Sequence, residues 1–315
     1  MSEADEQLHV RVAWLYYMEA LTQGEIGTKL GLSRLRVNRI LSDCRSSGLV
    51  RISITSRVES CVALEQRLCA EFGLAAAVIV PTPKDGEKVA PLVGRAAGDY
   101  LAQYLARTEV GVFGVGWGNT LREAIRHIPP MVLPRLLVTS MMGGLTQGLD
   151  LNSFETAGDL ARRLSAQCSY LAAPIYAGSS ASRDTLMAQD VFAEVFKTIA
   201  AVELAFLSLG DLSPRSLLIR HGLPRDVSVA SLREAGAVGD VLGQFLDARG
   251  APIDHPINER VIGLPSTKLA AVRTVVLAAG GRNKTGIISA ALRGGIPGVL
   301  ISDEDTARAA MAQAR

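Results

Sequence analysis

The stretch from Thr22 to Ser47 constrains the fold most, because its pattern predicts two short helices joined by a tight turn. Thr22 and Glu25 have the spacing of a capping box, which marks the start of one helix. Gly31 supplies the left-handed residue of the turn, and Ser33 is a suitable N-cap for the next helix. The expected buried stripe of that second helix consists of Val37, Ile40, Leu41 and Cys44. This spacing is typical of a helix-turn-helix.

The same stretch carries a local positive charge, although the chain as a whole has a net charge of only +2. Between Lys29 and Arg57 there are seven basic residues and one acidic residue, Asp43. Such a cluster suits a polyanion, and the exposed face of the second helix suits double-stranded DNA. The alternative is an ordinary helical hairpin with a solvated basic face.

Several residues of the stretch are candidates for DNA contacts. Arginine can pair with guanine, asparagine with adenine, and an apolar group with the thymine methyl. The side chains that point away from the buried stripe and suit base reading are Leu35, Arg36, Asn38 and Arg39. The residues that suit phosphate contacts are Thr22, Lys29, Ser33, Arg34 and Arg45. One such module is small, so a dimer that reads two half-sites is expected.

Beyond this stretch the chain changes character. We expect a connector helix from Val58 to Phe72, within residues 57–73, between a DNA-binding domain of residues 1–56 and an effector-binding domain of residues 74–315. In the last of these, apolar runs that end in glycine alternate with helical segments. This order predicts an all-α N-terminal domain followed by an α/β domain with a doubly wound, mostly parallel sheet. Ligands of such a sheet lie at the carboxyl ends of its strands.

Three further segments have a predicted secondary structure. The alternating residues from Gly48 to Ile54 suggest a short strand or wing. The residues from Ser169 to Ile175 suggest a strand, and those from Thr185 to Ala200 suggest one helix.

Glycine-rich loops at strand ends are the candidate ligand site. One loop follows an expected strand and opens a helix, and it consists of Gly116, Trp117, Gly118, Asn119 and Thr120. Backbone N–H groups and a helix N-terminus favour an anion there, although a purely structural turn is the rival interpretation. A second loop joins Gly280 and Gly281 to Lys284, whose cation stands where a helix dipole disfavours it. That position indicates an anionic partner or a solvated lysine. Gly143 and Gly144 end another strand.

Asp247 is the acidic candidate, because it follows an apolar segment before a turn and can accept hydrogen bonds from sugar hydroxyls. A surface aspartate at the end of an element explains the position equally well. The four cysteines and four histidines show no metal spacing, so we assign no metal, cofactor or catalytic residue. The chain start lacks signal-peptide features and no apolar run can span a bilayer, so a cytoplasmic protein without membrane contact is expected.

Several segments resemble the SorC family of sugar-responsive bacterial transcription regulators: the helix-turn-helix, GVFGVGWGNTL, GAVGDVLGQFLDARG and AAGGRNKTGIISAALRGGIPGVLISDEDTA. The resemblance implies a domain similar to sugar-phosphate isomerases and glucosamine-phosphate deaminases, which binds a phosphorylated sugar or polyol without turning it over. Carried over by position, it implies phosphate contacts from Gly116 to Thr120 and from Gly281 and Lys284, and a hydroxyl contact from Asp247. It also implies a homo-oligomer, either a dimer or a tetramer.

The expected function is therefore a DNA-binding transcriptional regulator. Repression of a carbohydrate or polyol catabolic operon, relieved by the effector, is the default, and activation is the alternative. A sugar-phosphate isomerase or deaminase with an appended DNA-binding module is one alternative, and it needs a positioned acid and base, for which Asp247 and Lys284 are the candidates. A sugar-binding scaffold without a role on DNA is the other alternative.

Overall fold

The computed structural model describes residues 3–50, 58–146 and 152–314. The chain divides into two compact units, Met1–Ser56 and Arg57–Arg315. Each unit has its own hydrophobic core.

The smaller unit contains three helices, α1 (Glu3–Tyr17), α2 (Gln23–Leu30) and α3 (Arg34–Ser46). The predicted capping box is present, since the side chains of Thr22 and Glu25 each accept a hydrogen bond from the other's backbone. Gly31 is left-handed at φ 67°, and Ser33 caps α3. The predicted stripe of α3 is buried against residues of α1 and α2: Val12, Leu15 and Ile26. The helix-turn-helix geometry is therefore confirmed.

The larger unit is built on a seven-stranded sheet whose neighbouring strands all pair in parallel. Its strands are β1 (Ala76–Val80), β2 (Val112–Val115), β3 (Leu137–Ser140), β4 (Gln167–Ser169), β5 (Leu204–Leu207), β8 (Thr274–Ala278) and β9 (Val299–Asp303). The spatial order is β1-β9-β8-β5-β2-β3-β4. A separate antiparallel hairpin consists of β6 (Gly239–Val241) and β7 (Gln244–Leu246).

Helices cover both faces of the sheet. They are α4 (Val58–Phe72), α5 (Val89–Arg107), α6 (Asn119–His127), α7 (Ser153–Leu164), α8 (Ser180–Met187), α9 (Asp190–Ala200), α10 (Leu217–His221), α11 (Val229–Glu234), α12 (Thr285–Arg293) and α13 (Glu304–Ala314). Within β5, Leu204 and Phe206 pack into the core that α5, α6 and α7 share. Ala205 and Leu207 pack into the core on the opposite face, with α4, α12 and α13. Side chains of one strand alternate between two buried cores, so the predicted doubly wound α/β fold is confirmed.

Helix α4, the expected connector, packs as part of the larger unit. Its buried side chains Leu64 and Leu68 belong to the same core as the sheet. The Glu65 carboxylate also accepts a hydrogen bond from the backbone N–H of Ile79 in β1 at 2.7 Å, while burial raises the pKa of Glu65. Apolar contacts and a hydrogen bond therefore fix α4 to the edge of the sheet.

Two predicted segments differ from the structure. The helix expected from 185 to 200 is two helices, α8 and α9, because Gln189 between them is extended (ψ 134°) and Asp190 begins the first turn of α9. The strand expected from 169 to 175 ends at Ser169 in β4, since the N–H of Leu171 bonds to the side-chain hydroxyl of Ser140 in β3 instead of to a backbone carbonyl of that strand. The wing expected up to Ile54 falls on residues outside those described.

No helix in the described ranges is both long enough and apolar enough to cross a membrane.

Candidate functional site

Exposed side chains cover the face of α3 that turns away from the core of the smaller unit. Leu35 is 83% exposed, although it is apolar, so it contributes nothing to that core. Arg34, Arg36, Asn38 and Arg39 are exposed beside it. Among the residues that the structure describes, these three arginines form no ion pair. Their guanidinium groups and the Leu35 side chain are thus free to contact the surface of another molecule.

Two of the predicted phosphate contacts have a capping role in the fold. The Thr22 hydroxyl donates to the Glu25 carboxylate at 2.7 Å and accepts from the Glu25 N–H at 3.3 Å. The Ser33 hydroxyl oxygen accepts from the Arg36 N–H at 3.2 Å. These bonds satisfy free N–H groups of the first helical turns, and they fix where α2 and α3 begin. The positions of Arg34 to Arg39 therefore depend on Ser33.

Gln23 at the start of α2 contacts Asn38 of α3. The Gln23 Nε2 group donates a hydrogen bond to Asn38 Oδ1 at 3.4 Å. Sequence reasoning missed Gln23, because this pairing depends on how α2 crosses α3. The bond restrains the amide plane of a candidate base-reading side chain.

In the larger unit, a cavity of about 520 Å³ lies at the carboxyl ends of β2, β5 and β8. Strands β3 and β4 follow β2 on one side of it, whereas β5 and β8 lie on the other side of β2, so the strand order reverses between β2 and β5. A sheet of this kind binds its ligands where the strand order reverses. The lining residues include Gly116–Thr120, Ser208–Asp211, Arg215, Asp240, Leu242, Gly280, Gly281, Asn283 and Lys284. Two of the predicted strand-end loops, Gly116–Thr120 and Gly280–Lys284, therefore meet in one cavity with the loop that follows β5.

The N-terminus of α6 borders this cavity. Its N-cap residue, Gly118, has φ 134° and provides no side-chain cap. Asn119 and Thr120, which form the first turn, line the cavity. An uncapped first turn presents N–H groups and the positive end of the helix dipole, both of which favour an anion.

Two buried carboxyl groups lie on another side of the cavity. Asp211 accepts hydrogen bonds from the Ser213 N–H and from Asn283 Nδ2, both at 2.7 Å. Asp240 accepts one from the Gly243 N–H at 3.2 Å. The pKa of Asp240 is raised to about 7, mainly by burial, and the charge of Asp211 acts in the same direction. The hydrogen bond from Gly243 and the charge of Lys284 act in the opposite direction. These acceptors suit hydroxyl groups of a ligand.

Lys284 is half-buried and lines the same cavity as these carboxyl groups. Burial lowers the pKa of its ammonium group, while the charges of Asp211 and Asp240 act in the opposite direction. The two carboxyl groups supply a compensating partner for this cation at the start of α12, which the sequence alone did not reveal. The neighbouring Gly281 N–H is already bound, at 2.8 Å to Asp303 and at 3.0 Å to Thr306.

Three predicted site residues lie outside the cavity lining. Gly143 and Gly144 donate backbone hydrogen bonds to the carbonyl oxygens of Ile262 and Ala173, each at 2.9 Å. Asp247 accepts from the backbone N–H groups of Arg249 at 2.8 Å and Ala251 at 3.0 Å. Although partial burial acts in the other direction, these bonds and the Arg249 guanidinium hold the pKa of Asp247 below its usual range. These contacts stabilise turns of the fold.

The lining residues that were not predicted as site residues include Arg215, Asp211, Asp240 and Asn283. Asp211 follows the glycine that ends β5, so its strand-end position was visible in the sequence. Asp240 reaches the cavity from the β6–β7 hairpin, which was not foreseen. No set of three or more His, Cys, Asp or Glu side chains in the described residues is arranged to hold a metal ion.

Comparison with known families identifies the larger unit. A family model described as "Putative sugar-binding domain" matches residues 56–312. The erythritol catabolism regulatory protein EryD of Brucella abortus is 29% identical over 315 residues, covering 99% of each chain. The transcriptional regulator LsrR of Escherichia coli is 32% identical over 312 residues, covering 97% of this chain and 94% of LsrR.

Solved structures share the fold. The full-length sorbitol operon regulator SorC from Klebsiella pneumoniae matches with a TM-score of 0.76 and 24% identity, over 99% of this chain and 100% of that protein. A DeoR family transcriptional regulator from Listeria monocytogenes matches with a TM-score of 0.73 and 27% identity, over 80% of this chain and 99% of that one. The first likeness therefore extends over both units.

Proposed function

The chain belongs to the SorC family of sugar-responsive, DNA-binding transcriptional regulators. From this premise we propose that it represses a carbohydrate or polyol catabolic operon. A phosphorylated sugar or polyol relieves the repression by binding the cavity at the carboxyl ends of β2, β5 and β8. Residues 1–56 read operator DNA, residues 74–315 bind the effector, and residues 57–73 transmit its binding. The protein acts in the cytoplasm as a dimer or tetramer.

One observation carries the proposed effector class. The same cavity combines an uncapped helix N-terminus at Gly118 with a half-buried cation, Lys284, and two buried carboxyl groups. A helix N-terminus and a cation bind a phosphate, while carboxylates accept hydrogen bonds from hydroxyl groups. A molecule with a phosphate at one end and hydroxyls along its length satisfies both.

Regulation requires that the effector bind two states of the protein with different affinity. We propose that the DNA-competent state binds the effector less tightly. Occupation of the cavity then shifts the population away from operator binding by the ratio of the two affinities.

A thermal-shift screen with matched pairs of phosphorylated and free sugars and polyols tests the effector class. We expect the phosphorylated members to raise the melting temperature, by mass action on the folded state. Lys284→Met should abolish most of that shift, whereas Lys268→Met, at an exposed lysine outside the cavity lining, should preserve it. A full response of Lys284→Met to a phosphorylated hit would contradict the phosphate assignment.

An enzymatic alternative has one observation in its favour. Asp240, with a pKa raised to about 7 by burial, lines the same cavity as Lys284, and such a pair suits proton transfer near neutral pH. Incubation of the protein with the stabilising sugar phosphates, followed by product analysis, distinguishes the two functions. Turnover of about 1 per second or faster that Asp240→Asn abolishes would establish the enzyme; stabilisation without turnover supports the sensor.

A further inference from the structure

Helix α1 exposes three large apolar side chains on one face. Val10 is 46% exposed, Trp14 56% and Met18 67%. They are spaced four residues apart, and Met18 continues the helical turn through its N–H bond to the Trp14 carbonyl at 2.9 Å. Residues at this spacing lie above one another on a helix. We call Val10, Trp14 and Met18 the α1 stripe.

The fold of the smaller unit does not need the α1 stripe. The inner face of α1 contributes Val12 and Leu15 to the core that it shares with α2 and α3. The stripe is also separate from the candidate base readers, which lie on α3. A tryptophan that is more than half exposed is unusual in a soluble unit this small, and a contiguous exposed apolar row indicates a protein contact.

The row is symmetric about Trp14, with one apolar side chain a turn before it and one a turn after it. Two copies of such a row match each other when the helices run antiparallel. Trp14 then meets Trp14 of the second copy, and Val10 meets Met18. A contact in which each copy offers the same surface is the isologous contact of a two-fold dimer.

From this symmetry we propose that the α1 stripe is the contact between the helix-turn-helix units of two copies of this chain bound to adjacent half-sites. The inference rests on the DNA-reading role proposed for residues 1–56. Three side chains bury only a few hundred Å² per copy, well short of the roughly 800 Å² per partner of a stable interface. The contact therefore forms between copies that DNA or the larger units already hold close together, where the effective concentration is high.

Cysteine cross-linking of the full-length chain tests the proposal. The background carries Cys168→Ser, which removes the exposed native thiol. A short bismaleimide is applied with and without duplex DNA that the unsubstituted protein has selected from a random pool. On DNA we expect Trp14→Cys to cross-link two copies, and the double variant Val10→Cys with Met18→Cys to do so as well. Met18→Cys alone should not, because antiparallel pairing sets the two Met18 positions at opposite ends of the contact.

A matched control is Val132→Cys, at an apolar residue of the larger unit that is 78% exposed. Cross-linking of this control at the same yield would show random collision and overturn the proposal. So would efficient self-linking of Met18→Cys, which indicates parallel helices, or a link from residue 14 to a peptide of the larger unit. Failure of the unsubstituted protein to select any DNA from the pool would overturn the DNA-reading role itself, whereas bound DNA without cross-links overturns only the α1 contact.

A charge substitution gives an independent measurement. Met18→Glu sets an unpaired carboxylate against the apolar Val10 of the second copy at each end of the contact, and we expect it to weaken binding to selected DNA with two half-sites by about tenfold or more. Binding to DNA with one half-site should change less than about twofold. An equal loss on both DNA molecules would show that Met18→Glu impairs the reading unit itself and would contradict the proposal.

Discussion

Asp240 couples the stability of the larger unit to pH, because its carboxyl group is buried at the cavity. Burial raises its pKa from 3.8 to about 7. A raised pKa in the folded state means that its contribution to stability is complete below pH 3.8 and is lost as the pH rises towards 7. Asp240→Asn removes this ionisation and can still accept the hydrogen bond from Gly243.

We therefore expect Asp240→Asn to gain stability relative to the unsubstituted protein as the pH rises from 5 to 7, by up to about 1.4 kcal/mol for each pH unit. Urea unfolding at both pH values measures this difference. Asp254→Asn, at an exposed carboxylate, serves as the control and should show a constant difference. Parallel pH profiles of Asp240→Asn and the unsubstituted protein would refute the assigned cause.

Gln23 is the second residue with a specific expectation, since its side chain donates to Asn38. If Gln23 acts by orienting Asn38, Gln23→Ala should weaken binding to selected DNA by about 1 kcal/mol. The same substitution should have little further effect in an Asn38→Ala background. This double-mutant cycle uses DNA titrations, with Thr28→Ala on α2 as a control. Fully additive losses would mean that the two side chains act independently.

At the scale of elements, the start of α6 depends on a backbone that only glycine adopts readily. Gly118 has φ 134°, and an added Cβ would lie 3.7 Å from Ser208 Cβ, which is an ordinary contact. The cost of Gly118→Ala is thus backbone strain, about 1–2 kcal/mol, and it should also reduce the thermal shift caused by a phosphorylated hit.

Gly286→Ala is the matched control for this substitution. Gly286 lies within α12, and its added Cβ would be 3.9 Å from Val238. We expect the control to leave stability unchanged or raise it by about 0.5–1 kcal/mol, as judged by thermal unfolding of both variants. Equal destabilisation by the two substitutions would show that the left-handed backbone of Gly118 is not the cause.

The sequence predicted elements wherever a local signal defines them. The Thr22 capping box and the Gly31 turn depend on residues within one helical turn, and the structure contains both. The strands of the sheet were also predictable, because buried parallel strands such as Leu204–Leu207 are short continuous apolar runs in the sequence. Predictions failed where tertiary contacts decide, as at Leu171, whose N–H bonds to the side chain of Ser140 instead of to a backbone carbonyl of β3.

The proposed effector cavity was only partly predictable for the same reason. Gly116–Thr120 and Lys284 carry their signal locally, as a strand end followed by a helix start. Asp240 does not, since it reaches the cavity from a hairpin that contains Leu242 at φ 51°, an uncommon conformation for leucine. Asp247 has a side chain that could bind a ligand hydroxyl, but its carboxylate accepts hydrogen bonds from N–H groups of its own turn.

At the scale of the whole molecule, the linkage between effector and DNA has a measurable sign. For a repressor that the effector releases, saturating selected DNA should weaken effector binding by the same factor by which the effector weakens DNA binding. Calorimetric titration of a phosphorylated hit into the free and DNA-bound protein measures that factor, which is typically about 5 to 150. Tighter effector binding by the DNA-bound protein would reverse the sign of this coupling, and it would mean that the effector strengthens DNA binding.

The pairing of β1 with β9 sets an order of events during protein synthesis. Val80 pairs with Asp303, and β1 has no other neighbour in the described sheet. After β1 has been synthesised, the ribosome must therefore add roughly 220 more residues, over about 10 to 40 s, before β1 can pair with β9. The three-helix unit needs no such delay, because its contacts are all local in the chain. A nascent chain can thus complete its helix-turn-helix unit well before it completes the domain that holds the proposed effector cavity.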